Sequence, residues 1–143
     1  MILFCDTSAL VKLYIVEAGS EELKARIPEA EAVSVCRIAW AEAHAALSRR
    51  AREVPGDTIV IEQARTALAA DWPHFVVMEI DQALVELAGE YADAFALRGY
   101  DSIQLAAAFQ AGRIARSPVF FACFDARLNK AASLLGMVTG RAG

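Results

Sequence analysis

The chain has 143 residues, a hydrophobic fraction of 57% and a formal net charge of -4. That length suits one domain, residues 1–143, around one core. No apolar run approaches the roughly 18 residues that span a bilayer, and the acidic balance gives the whole chain no electrostatic signature of nucleic-acid binding.

The first ten residues, MILFCDTSAL, set the pattern. Ile2, Leu3, Phe4 and Cys5 form a short apolar run that stops at Asp6, followed by Thr7 and Ser8. A run so short and so bounded reads as a strand buried on both faces of a parallel sheet. Asp6 then stands at its carboxyl end, the edge where open α/β sheets bind ligands. Asp6 or Thr7 also suits the cap of a helix over 9–15, because a side-chain oxygen there satisfies an orphan N–H. No basic region precedes the run, which is too short for a signal peptide, so the chain reads as cytoplasmic.

Gly19-Ser20 breaks the pattern, and Ser20 suits the cap of a short helix over 21–27 that stops at Pro28. A second strand is expected over 32–35 and a helix over 38–52, which has no interior Gly or Pro. Pro55-Gly56 makes a turn, and Asp57 caps a helix over 58–70. A third strand over 75–80 leads to Asp81, the cap of a long helix over 82–97 ended by Gly99. Asp101 opens a helix to about residue 115, and Ser117-Pro118 breaks it. A strongly apolar strand over 119–124 ends at Asp125, then come a helix to 135, a stop at Gly136 and a last strand over 137–139. Strands alternating with helices predict a three-layer α/β/α sandwich around a parallel sheet of four to five strands.

Cys5, Cys36 and Cys123 are odd in number, lack CxxC spacing and have apolar neighbours, so they read as buried thiols. His44 and His74 lack ligand-like spacing. Arg49, Arg50 and Arg52, and again Arg113 and Arg116, cluster near helix ends. Cations there complement the helix dipole or contact phosphate; both readings stand at this level.

Four acids remain. Asp125 repeats the situation of Asp6, so two central strands would send two carboxylates to one sheet edge. Asp101, with Gln104 three residues on, resembles a capping box, yet its helix body is apolar and alanine-rich. Glu42 has Ile38, Ala39, Ala45 and Ala46 as same-face neighbours on its helix. A bare glutamate facing such a stripe is costly unless paired or binding a cation. Two unit charges about 4 Å apart repel by roughly 4 kcal/mol at an effective dielectric near 20, and a helix N-terminus returns only about 0.3–1 kcal/mol. Caps alone therefore do not hold four carboxylates together; a divalent cation does, or some carboxyls take up protons. Oxygen-only ligands point to magnesium or manganese.

The order Asp, Glu, Asp, Asp, as DTSAL at Asp6, AEAHAAL around Glu42, RGYDSIQLA at Asp101 and FFACFDARL at Asp125, resembles the PIN-domain nucleases. In length the chain resembles the VapC-type toxins of bacterial toxin–antitoxin pairs. Position by position, Asp6, Glu42, Asp101 and Asp125 match that family's acidic quartet, and Thr7 or Ser8 its hydroxyl beside the first acid. Some relatives carry a further acid after Asp125, where this chain has Ala126, Arg127 and Leu128.

The residues permit metal-assisted hydrolysis of a phosphodiester, with Asp6 and Asp101 as direct metal ligands and Glu42 and Asp125 completing the catalytic set. The resemblance implies RNA as substrate, cut endonucleolytically to 5′-phosphate and 3′-hydroxyl ends, and a cognate antitoxin as partner. A partner arginine entering the acids would compete with the cation. The expected anchor for that partner is a groove between the helix near Ile38, with Trp40, and the helix over 21–27. The helix over 82–97, apolar on more than one face, predicts a homodimer, as the resemblance also suggests. Two other readings compete. A haloacid-dehalogenase-like phosphatase would use Asp6 but wants a second acid where Ser8 stands, and a receiver-like signalling module wants an acidic pair after strand one.

Overall fold

The computed structural model describes residues 1–140. Five parallel strands, β1 (Ile2–Cys5), β2 (Ala32–Cys36), β3 (Val76–Met78), β4 (Val119–Ala122) and β5 (Val138–Thr139), form one sheet in the order β3-β2-β1-β4-β5. Seven helices connect them: α1 (Thr7–Lys12), α2 (Ser20–Arg26), α3 (Ala39–Glu53), α4 (Thr58–Asp71), α5 (Gln82–Phe95), α6 (Gly99–Ala115) and α7 (Ala126–Leu134). Among the described residues no helix is long and apolar enough to cross a membrane.

The period-two alternation of a strand sorts the core into two halves. Ile2 and Phe4 of β1, with Val119 and Phe121 of β4, face α5, α6 and α7. Leu3 and Cys5, with Phe120 and Ala122, face α1 to α4 through Leu10, Leu23, Ala43 and Leu68. Both faces are covered, which is why β1 and β4 are apolar at every position. Phe4 and Phe121, cross-strand partners in register, stack at 5.9 Å between ring centroids. This is the α/β/α sandwich read from the sequence.

The strand order places a switch point between β1 and β4. The chain steps from β1 outward to β2 and β3, then returns to β4 and steps the other way to β5. A crevice opens at the carboxyl ends where the direction reverses. The Asp6 amide donates to the Ala122 carbonyl at 3.1 Å, so the end of β1 is tied to the end of β4.

Several element ends differ from expectation, each for a local reason. Helix α1 starts at Thr7 and stops at Lys12, because Asp6 itself is the cap and accepts from the Ala9 amide. Gly19, not Ser20, precedes α2; its φ is +91°, and a Cβ there would lie 2.7 Å from Phe124 Cε1. The Ser20 hydroxyl instead donates to the Ile15 carbonyl and accepts from the Glu17 amide. Asp57 precedes α4 without a side-chain capping bond. Helix α5 ends at Phe95 because Ala96 turns left-handed at φ 53°, and Gly99 opens α6 rather than closing α5. An alanine in that conformation has no sequence signal.

The three cysteines are free and buried, as expected. Of the basic cluster on α3, Arg50 forms ion pairs with Glu17 and Asp57. Helix α5 is not apolar nearly all round. Leu84, Ala88 and Tyr91 are buried, Val85, Leu87, Ala92 and Phe95 are half-buried, and Glu86, Gly89, Glu90 and Asp93 are exposed. Its apolar side packs on α6 and the sheet, so the helix does not by itself demand another chain.

Candidate active site

Asp6 is 7% exposed and sits at the carboxyl end of β1. Its Oδ1 accepts from the Ala9 amide at 2.9 Å and from the Ser8 hydroxyl at 2.7 Å. It is thus a helix cap and a buried carboxylate at once. Burial pushes its carboxyl above the ordinary aspartate range, and the charge of Asp101 adds to the rise; the Ala9 and Ser8 bonds pull the other way.

Asp101 lies half-buried in the first turn of α6. It is not the cap. Arg98 holds that position, no side-chain capping bond forms there, and Gln104 makes no reciprocal bond. The capping-box reading of Asp101 and Gln104 therefore fails, because the helix begins two residues earlier, at Gly99. Burial raises the Asp101 carboxyl, the charge of Asp125 raises it further, and Arg98 lowers it. Asp125 caps α7, with Oδ1 accepting from the Leu128 amide at 2.9 Å. The charge of Asp101, from α6, thus acts on Asp6 after β1, and that of Asp125, after β4, acts on Asp101.

Glu42 sits half-buried on α3, four residues past Ile38. Its Oε1 accepts from the Thr7 hydroxyl at 2.8 Å and from Gln104 Nε2 at 3.3 Å. A hydroxyl and an amide, rather than a cation, offset its burial. Thr7 follows Asp6 in sequence, and Gln104 lies one turn after Asp101, so these bonds fasten Glu42 to the two elements that carry the aspartates. Thr7 and Ser8 divide the hydroxyl work: Thr7 serves Glu42 and Ser8 serves Asp6.

Among the described residues no three His, Cys, Asp or Glu side chains converge closely enough to hold a metal ion. The acids instead line the edge, with Asp6, Glu42 and Asp125 each held by their own donors. No Lys or Arg of the described residues forms an ion pair with any of the four. All-oxygen donors and negative charge without an ion pair fit a hard divalent cation in charge and in donor type.

Gln104 was the residue hardest to find in the sequence. It is 4% exposed on a helix whose next four residues, Leu105 to Ala108, are fully buried. A polar residue inside an alanine-rich buried run was the available signal. The expected groove was between Trp40 and α2; the groove that Trp40 borders has no α2 residue in its lining. Trp40 packs against Trp72 at 5.1 Å and His44 at 4.6 Å, and borders an apolar groove with Ile38 and Ile80. Helix α2 turns instead toward β4, with the Arg26 guanidinium 3.9 Å from the Phe120 ring centroid.

A family model described as PIN domain matches residues 3–134. Two relatives from Mycobacterium tuberculosis are each 31% identical to the chain over 139 residues, covering 94% of it and 92% of their own length. They are the ribonuclease VapC45 of strain CDC 1551 / Oshkosh and the ribonuclease VapC49 of strain ATCC 25618 / H37Rv. Among solved structures, a toxin–antitoxin complex from Klebsiella pneumoniae matches with a TM-score of 0.66 at 19% identity over 97% of both chains. The Mycobacterium tuberculosis toxin VapC20, described as cleaving the sarcin–ricin loop, matches with a TM-score of 0.66 at 20% identity, over 97% of this chain and 98% of its own. At such identities these two share the fold.

Proposed function

We propose that this chain, which belongs to the PIN domain family, is a metal-dependent endoribonuclease and the toxin of a toxin–antitoxin pair. Family membership removes the phosphatase and receiver alternatives. The observation that carries the reading is the placement of Asp6 just after β1 and Asp125 just after β4, where the strand order reverses, with Asp101 near enough for its charge to act on Asp6 and that of Asp125 to act on it, and with no ion pair to any of the three among the described residues. The names of the two ribonuclease relatives support RNA as substrate, and the toxin–antitoxin structures support a protein inhibitor.

In this reading Asp6 and Asp101 hold magnesium or manganese, and Glu42 and Asp125 complete the site. A bound ion would supply Lewis-acid polarisation of the phosphate and a water of lowered pKa. The chain's own part is orientation. Asp6 is fixed through Oδ1 by the first turn of α1, and Asp125 through Oδ1 by the first turn of α7. Glu42, fixed through Oε1, has Oε2 for a hydrogen bond from water. An acidic enzyme binding a polyanion relies on the cation and local basic groups, and Arg98 is the arginine that lowers the Asp101 carboxyl. The protein works in the cytoplasm and pairs as a homodimer; light scattering at tens of micromolar checks the mass, and a monomer removes that part.

The test uses end-labelled structured and single-stranded RNAs with magnesium or manganese, against EDTA. Internal cleavage leaving 5′-phosphate ends, abolished by EDTA and by Asp101→Asn, is expected. Cleavage that persists in EDTA or in that variant overturns the reading.

A further inference from the structure

We propose that Gln104 is a positioning residue, which holds the Glu42 carboxylate and the Thr7 hydroxyl in one fixed orientation at the acidic edge. The proposal rests on the nuclease reading for its consequence in cleavage, though not for its geometry. Gln104 Nε2 lies 3.3 Å from Thr7 Oγ1 and 3.3 Å from Glu42 Oε1. Thr7 Oγ1 donates to the same Oε1 at 2.8 Å. The three side chains, from α6, α1 and α3, close a triangle. Nε2 donates toward both oxygens of this triangle, and the bonds to Glu42 from Thr7 and from Gln104 both fall on Oε1. That fixes the rotation of the carboxylate and leaves Oε2 outside the triangle.

The other end of the amide shows what this arrangement costs. Gln104 Oε1 is buried and has no hydrogen-bond partner. A buried acceptor without a partner carries its full desolvation penalty. Turning the amide over would not help, because Oε1 would then face the Glu42 carboxylate, acceptor against acceptor, and Glu42 would lose a donor. The charge of Glu42 thus dictates the orientation of Gln104. An apolar side chain of similar volume would suit a position that is 4% exposed, one turn before the buried Ala107 and Ala108, without any orphaned atom. A residue kept only for packing has no reason to carry an amide there. An amide that aims one oxygen of Glu42 does.

Gln104→Met removes the donor and the orphaned acceptor together at nearly constant volume. It should melt within about 3 °C of the wild type, lower kcat by about 10- to 100-fold, as loss of an orienting partner typically does, and change KM far less. Gln104→Glu, isosteric but with an acceptor facing Glu42, should lower kcat further than Met. A volume-filling role predicts Gln, Glu and Met alike in kcat, or activity and melting temperature lost together; either result overturns the proposal. A second measurement needs no activity. The side-chain amide protons of Gln104 should exchange slowly in the wild type and shift in Thr7→Val. A freely exchanging amide, indifferent to Thr7, overturns the proposal. If the wild type cuts no RNA while the amide is protected, the nuclease reading fails and the positioning geometry stands. If the wild type cuts and Gln104→Met cuts equally fast, the positioning role fails and the nuclease reading stands.

Discussion

Replacing Asp6 separates the two roles that one side chain combines. As a cap, Asp6 gives its Oδ1 to the Ala9 amide and the Ser8 hydroxyl. As a buried acid beside Asp101, it carries a charge that the fold disfavours. Asp6→Asn keeps an amide oxygen for the cap, since Asn and Asp cap about equally well, and it removes the charge. Its melting temperature should equal or exceed that of the wild type. Asp6→Ala removes the charge and the cap together, and a lost cap costs about 1 kcal/mol. For a domain of this size that is about 3–5 °C, so Ala should melt lower than Asn by that margin. RNA cleavage should vanish in both. Calorimetry of the three proteins at neutral pH without divalent ions is the assay. An Asn variant several degrees below the wild type would mean that the Asp6 charge is stabilised by the native fold, and the reasoning would be refuted.

Asp101 makes no capping bond, so Asp101→Ala should lose no more than about 0.3–1 kcal/mol of dipole interaction, partly offset by relief from Asp125, while cleavage collapses; a loss of several kcal/mol in denaturant titration would contradict this. The carboxyls of Asp6 and Asp101 are raised in the fold, so the native state binds more protons than the unfolded chain as pH falls from neutral toward the ordinary aspartate value of 3.8. Stability without metal should therefore rise over that window, and the slope should flatten in Asp6→Asn; a slope indifferent to Asp6 contradicts the assignment. Magnesium at one hundred times its dissociation constant should add about 2.7 kcal/mol to the wild type and much less to Asp6→Asn, which thermal melts read directly.

The apolar runs of β1 and β4 were legible because strands covered on both faces are apolar at every position. The alternation of strands and helices then led to the layered architecture. Three acids were legible as strand-end or helix-start residues, and Glu42 as a charge on a small-residue stripe. What escaped was local. Ala96 ends α5 in a left-handed conformation that no glycine marks. That displaced the start of α6 and made Asp101 look like a cap. Gln104 read as the partner of that cap because its true partners, Thr7 and Glu42, are distant in sequence and meet it only in the folded chain. The groove at Trp40 escaped for the same reason, since its other wall is Trp72, from the segment after α4.

The central claim is that carboxylates from different elements act as one site on RNA. The most direct test is the single-turnover cleavage rate of wild type, Asp6→Asn, Asp101→Asn and the double variant, in saturating magnesium. Groups that act as a unit are not additive. The account predicts that the double variant is no slower than the slower single variant. Singles that each retain most of the activity, or losses that multiply in the double variant, would contradict it.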